Sequence, residues 1–125
     1  MPINPTLPVP PSVNHYWKPR RGGGLYVGEE GQAFKAEVGR LCRAQGLTSP
    51  LTGHVVVHLR VFRPKNSGDL DNYLKALFDA IKGYVYVDDK QVYECHAYKD
   101  LDRLRPRVEL VIDELAGQPK RRRLF

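Results

Sequence analysis

The sequence predicts an α/β domain of the α+β-like kind: one small unit in which a mixed β-sheet is packed by two main helices. Three observations predict it. Two segments carry apolar residues at helical spacing. At least two others alternate apolar and polar residues, as half-buried strands do. The length, 125 residues, suits one domain with one modest core.

The elements follow in chain order. Residues 3–13, INPTLPVPPSV, are too proline-rich for helix, although Ile3 to Val9 can form a short edge strand. KPRRGGG at 18–24 is a basic loop, and Leu25 to Val27 is a brief extended piece. A first helix is expected from Glu30 to Gln45, with Phe34, Val38, Leu41 and Cys42 on one stripe and Gly46 at its end. His54 to Arg63 is a strand with apolar residues on both faces, hence a central one, and Pro64 stops it. A second helix is expected from Asp71 or Asn72 to Lys82, its stripe formed by Tyr73, Leu74, Leu77, Phe78 and Ile81. Tyr84 to Val87 is extended. Gln91 to Lys99 and Arg107 to Asp113 are two strands, expected to pair as a hairpin through DLDRLRP. The folded domain is placed at 1–115, and residues 116–125 form a basic, disordered tail.

The net charge is +6, so nucleic acid is the first partner to consider and an anionic membrane the second. No apolar run reaches the roughly twenty residues needed to cross a bilayer. No signal peptide opens the chain. Cys42 and Cys95 are the only cysteines and form no zinc-type spacing, which fits buried thiols in a reducing, cytoplasmic setting. Gly22-Gly23-Gly24 lacks the lysine–serine ending of a phosphate loop, so no nucleotide cofactor is expected. His15, His54, His58 and His96 are scattered and suggest no ligand set.

Against this basic background stands an acidic block, GDLDNYLK at 68–75, followed by VDD at 87–89. If the chain is extended up to the helix, Asp69 and Asp71 point the same way and Leu70 points into the core. Hard carboxylate oxygens from two loops suit magnesium. Lys75, one helical turn beyond Asp71, then sits where its ammonium offsets charge on a phosphate. Plainer roles exist for each group. Asp71 can be a helix N-cap, Asp88-Asp89 a solvent-facing turn, and Lys75 a surface ion pair with Asp71 or Asp79.

GDLDNYLKALFDAIKG…VDDKQV resembles the signature of the RusA-type Holliday junction resolvases. PPSVNHYW resembles their proline-rich opening and YVGEEGQAFKAEV their first helix, so the resemblance runs from about Leu7 to Leu115. It implies a RusA-like nuclease domain that resolves four-way DNA junctions as a homodimer, by paired symmetric nicks, in recombination and repair. It implies magnesium as cofactor, with manganese as a substitute. The family's metal-binding aspartates fall on Asp69, Asp71 and Asp89, and its catalytic lysine on Lys75. The cellular setting implied is the cytoplasm of a bacterium, from a phage or chromosomal gene.

For DNA contact the sequence offers Asn14, Tyr16, Lys18, Arg20 and Arg21 near the start, and Arg103 and Arg105 near the end. Asn14 can instead brace its loop, Tyr16 can pack against the sheet, and Arg103 and Arg105 can pair with Asp100 or Asp102. Two other functions fit the same residues. One is a nonenzymatic nucleic-acid-binding protein with a structural acidic cluster. The other is a nuclease that prefers different branched DNA.

Overall fold

The computed structural model describes residues 3–66 and 68–115, so the tail expected at 116–125 lies outside the described residues. In chain order the elements are β1 (Thr6–Leu7), α1 (Val13–Tyr16), β2 (Trp17–Pro19), β3 (Leu25–Val27), α2 (Glu29–Ala44), β4 (Val55–Arg63), α3 (Leu70–Ile81), β5 (Val92–Leu101) and β6 (Arg107–Glu114). Among the described residues, no helix is long and apolar enough to cross a membrane.

The run of β-branched and apolar residues in β4 makes it the central strand of a four-stranded mixed sheet, in the order β1-β6-β4-β5. Val55, Val57, Leu59 and Val61 alternate onto one face and are at most 3% exposed. Full burial of such a side chain contributes roughly 1.5–3 kcal/mol. Phe34, Val38 and Cys42 of α2 and Leu77 and Ile81 of α3 complete the same core. Among the described residues no helix covers the opposite face of β4 and β5; there His58 and His96 stack with centroids 4.5 Å apart. Both are exposed.

The two helices and the central strand match the sequence reading to within a residue or two. The proline-rich opening does form an edge strand, with Leu7 opposite Val108 of β6. Five expectations are corrected. Cys42 is buried as expected, but Cys95 is exposed. β5 and β6 are not a hairpin: β5 runs parallel to β4, β6 runs antiparallel to it, and the two flank it on opposite sides. Residues 84–87 form a turn in which Tyr86 makes isolated bridges to Leu51 and Lys82, rather than a strand. A short helix, α1, follows the prolines and was not foreseen. Finally, α3 begins at Leu70, so the chain is not extended across Asp69 and Asp71.

The topology fixes two ends of the molecule. Parallel β4 and β5 must be joined by a crossover, and α3 is that crossover. It starts beyond the Arg63 end of β4 and returns alongside the sheet to the Val55 end, where β5 begins. At the Arg63 end, the Asp102 N–H donates to the Arg63 carbonyl at 2.8 Å and the Arg63 Nε donates to the Asp100 carbonyl at 3.1 Å. At the Val55 end, the Gln91 Nε2 donates to the carbonyls of Leu51 and Gly53, both at 2.8 Å.

Candidate active site

The acidic block lies at the Arg63 end. Gly68 turns the chain into α3 with φ +88°, a left-handed conformation that a side chain would strain. Asp69 follows as the N-cap residue, with extended backbone but no capping bond from its side chain. Asp71 lies in the first turn, where the helix dipole favours an anion. Both residues are exposed. Neither carboxylate accepts a hydrogen bond or joins an ion pair among the described residues. An N-cap aspartate that leaves its helix uncapped has its oxygens free for another partner.

Lys75 is exposed one turn further on. It pairs with neither Asp71 nor Asp79; its ammonium lies 5.6 Å from the Trp17 ring centroid. Asp79 is used elsewhere, accepting a 2.6 Å bond from the Tyr16 hydroxyl and lying 3.6 Å from the Lys35 ammonium.

Asp88 and Asp89 lie at the Val55 end, and their roles divide. Asp88 caps the 3₁₀ turn Asp89–Gln91: its carboxylate accepts from the Lys90 N–H at 3.0 Å, and its own N–H donates to the Gln91 side chain at 2.8 Å. That backbone bond, with a further one to Asp89, holds the Asp88 carboxyl below the usual aspartate range. Asp89 moves the other way: burial first, then its bond to Asp88 and the charge of Asp88, raise its carboxyl, while Lys82 opposes the shift.

The structure therefore brings Asp69, Asp71 and Lys75 together but sets Asp89 apart from them. α3 has 12 residues and is about 18 Å long; Asp69 and Asp71 sit at its start, and Asp89 lies beyond its end. No group of three carboxylate, histidine or cysteine side chains among the described residues is placed to hold one metal ion. Within one chain Asp69 and Asp71 do not meet Asp89, because a parallel crossover puts the two ends of its helix at opposite ends of the sheet.

The DNA-contact residues also divide. Tyr16 is fully buried, packed on Trp17 and Phe34 and tied to Asp79, so it is a core residue and not a stacking platform. Its hydroxyl is pushed far above the usual tyrosine range by burial first and the Asp79 bond second. Gly31 makes room for this segment, since a Cβ there would meet the Tyr16 carbonyl oxygen at 2.5 Å. Asn14, Arg20 and Arg21 are exposed, and Lys18 is half-buried. Arg103 and Arg105 are exposed in the β5–β6 loop, where Arg107, not they, takes Asp102.

The model of the family described as endodeoxyribonuclease RusA matches residues 7–113. The chain belongs to the RusA endodeoxyribonuclease family. It is 36% identical over 115 residues to the crossover junction endodeoxyribonuclease RusA of Escherichia coli strain K12, covering 90% of this chain and 95% of that one. Identity is 35%, with the same coverage, to the proteins so named from Enterobacteria phage 82 and Shigella sonnei strain Ss046.

Two features of this RusA-family site escaped the sequence reading. A cleft of about 330 Å³ beside the acidic block is lined by Val9, Ser12, Lys65, Gly68, Asn72 and Tyr73. Its proline-rich wall is distant in sequence, and no local pattern announces it. The second is Asp88 as a cap, although Asp-x-x-Gln is a capping-box spacing and was legible. Asp88→Asn is expected to keep nuclease activity within about threefold, because asparagine caps as well as aspartate. Asp89→Asn is expected to lose it. Nicking assays on the two variants decide the matter; an inactive Asp88→Asn protein would make Asp88 the functional carboxylate.

Proposed function

We propose that this RusA-family chain resolves four-way DNA junctions by paired nicks, with magnesium as cofactor and a symmetric dimer as the working form. The observation that carries the reading is the DLDN-x-x-K block of the family, presented at a helix start with two exposed, unbonded carboxylates beside Lys75. Such hard, anionic oxygens match the donors magnesium takes.

A dimer also supplies what one chain lacks. The outer edge of β5 has no strand against it among the described residues, and β5 is ten residues long. Tyr93 and Tyr98 on it are 54% and 55% exposed. An unprotected edge of this length is a template for pairing. Two copies pairing antiparallel through β5 about a two-fold axis lay the start of one strand beside the end of the other. Asp69 and Asp71 of one protomer then face the partner's Asp89, and the acidic set is completed twice, at two opposed positions.

In this arrangement the ion, when bound, polarises the phosphodiester and makes a nucleophile available at neutral pH. Asp69, Asp71 and the partner's Asp89 would hold and orient it. Lys75, steadied over Trp17, offers its ammonium to charge developing on the phosphate oxygens. Lys18, Arg20, Arg21, Arg103 and Arg105 contact phosphates and set the position of the arms.

The test uses synthetic four-way junctions, flaps, forks and linear duplex at one ionic strength, with magnesium or with EDTA. Paired nicks in the four-way junction alone, dependent on magnesium, are expected. Binding without cleavage would make the protein a nonenzymatic binder, and faster cutting of flaps or forks would change the substrate. Light scattering should give twice the chain mass for the native protein. Tyr93→Lys with Tyr98→Lys, exposed positions that leave the core intact, should give a folded, inactive monomer.

A further inference from the structure

The β5–β6 loop carries the most exposed large apolar residue described in the chain, Leu104, at 92%. A leucine in that position is in water unless it has a partner. Its neighbours say which kind. Arg103 and Arg105 flank it, both exposed and neither in an ion pair among the described residues. In a chain of net charge +6, such a tip repels a second copy and attracts a polyanion.

The loop is also braced. The Asp102 carboxylate accepts from the Leu104 N–H at 3.1 Å, the Arg105 N–H at 3.0 Å and the Arg107 Nη1 at 2.9 Å. Arg107 in turn donates to the Arg105 carbonyl at 2.7 Å and to Glu109 at 2.9 Å, and its guanidinium lies 3.9 Å from the centre of the Phe62 ring. The Asp102 N–H anchors the base of the loop to Arg63. Little ordering entropy remains to be lost when such a tip meets a ligand. It stands at the Arg63 end of the sheet, the end that carries Asp69 and Asp71.

We propose that this loop is a wedge: Leu104 inserts between base pairs at the branch point while Arg103 and Arg105 grip the phosphates on either side. Apolar side chains that enter a base step unstack and kink it, and an open branch point lowers the cost because its stacking is already interrupted. The wedge selects branched over linear DNA and bends the strand toward the acidic block. This inference rests on the branched-DNA reading above.

The experiment places 2-aminopurine next to the branch of a four-way junction and titrates native protein, Leu104→Ala and Leu104→Trp in EDTA, where nothing is cut. Native protein and Leu104→Trp should raise the fluorescence of the unstacked base. Leu104→Ala should lose most of that rise and about tenfold of the junction-over-duplex affinity ratio, with duplex affinity within about twofold. Arg103→Ala with Arg105→Ala should instead weaken both substrates and reduce the salt slope by about two. An unaltered rise and ratio in Leu104→Ala would overturn the wedge alone. So would a change in its oligomeric mass, which would make Leu104 a protein contact. Native protein that binds junction and duplex equally would overturn the branched-DNA reading itself and the wedge with it.

Discussion

Dimers assembled from one Asp71→Asn chain and one Asp89→Asn chain are expected to nick a four-way junction, although each variant by itself falls by roughly 10³-fold or more. The proposed shared site requires this result. In the mixed dimer, one site receives both substitutions and is dead. The other receives native Asp69 and Asp71 from one protomer and native Asp89 from its partner, so it is whole. A site built within one chain predicts the opposite, since every chain then carries a defect. Two different affinity tags isolate the mixed dimer, and a denaturing gel counts the nicks. One nick per junction is expected, in place of two. A mixed dimer as inactive as its parents would remove the shared site. Both variants should still bind junctions, because the basic loops are untouched.

Lys75→Ala should lower single-turnover cleavage by about 10²-fold while changing junction affinity by less than about threefold. The difference follows from where the charge acts. In the proposed site, an ammonium at the acidic block meets the phosphate group that gains negative charge during cleavage, so its removal acts mainly on the barrier. The neighbouring loops supply several other cations for binding. Lys75→Arg should recover only part of the rate, since the broad guanidinium does not reproduce a compact charge seated against Trp17. Equal losses in rate and affinity would reassign Lys75 to DNA binding.

Much of the fold was legible because it is written in local periodicity. The stripe Tyr73, Leu74, Leu77, Phe78, Ile81 announces α3, and apolar residues on both faces of β4 announce a central strand. Strand order was not legible. Whether Arg107–Glu114 lies beside β5 or across β4 from it depends on long-range pairing that alternation does not encode. Tyr16 misled for a related reason. Its partner Asp79 is 63 residues away, so the choice between DNA contact and packing, both open in the sequence, turns on a contact that no local pattern shows. The acidic block was found from residue type and spacing. Its separation from Asp89 was also available, since a helix of 12 residues has a fixed rise.

The placement of the acidic groups at opposite ends of α3 has a cost and a benefit for a cell. In the proposed shared site, a newly made chain, folded and alone, is latent, because neither end of it holds a complete set. Cutting power then follows the population of paired chains, which at low copy number rises with the square of expression. A twofold change in synthesis becomes a fourfold change in activity, and stray single molecules pass replicating DNA without harming it. Such a threshold needs no inhibitor and no modification, only a helix as long as this one.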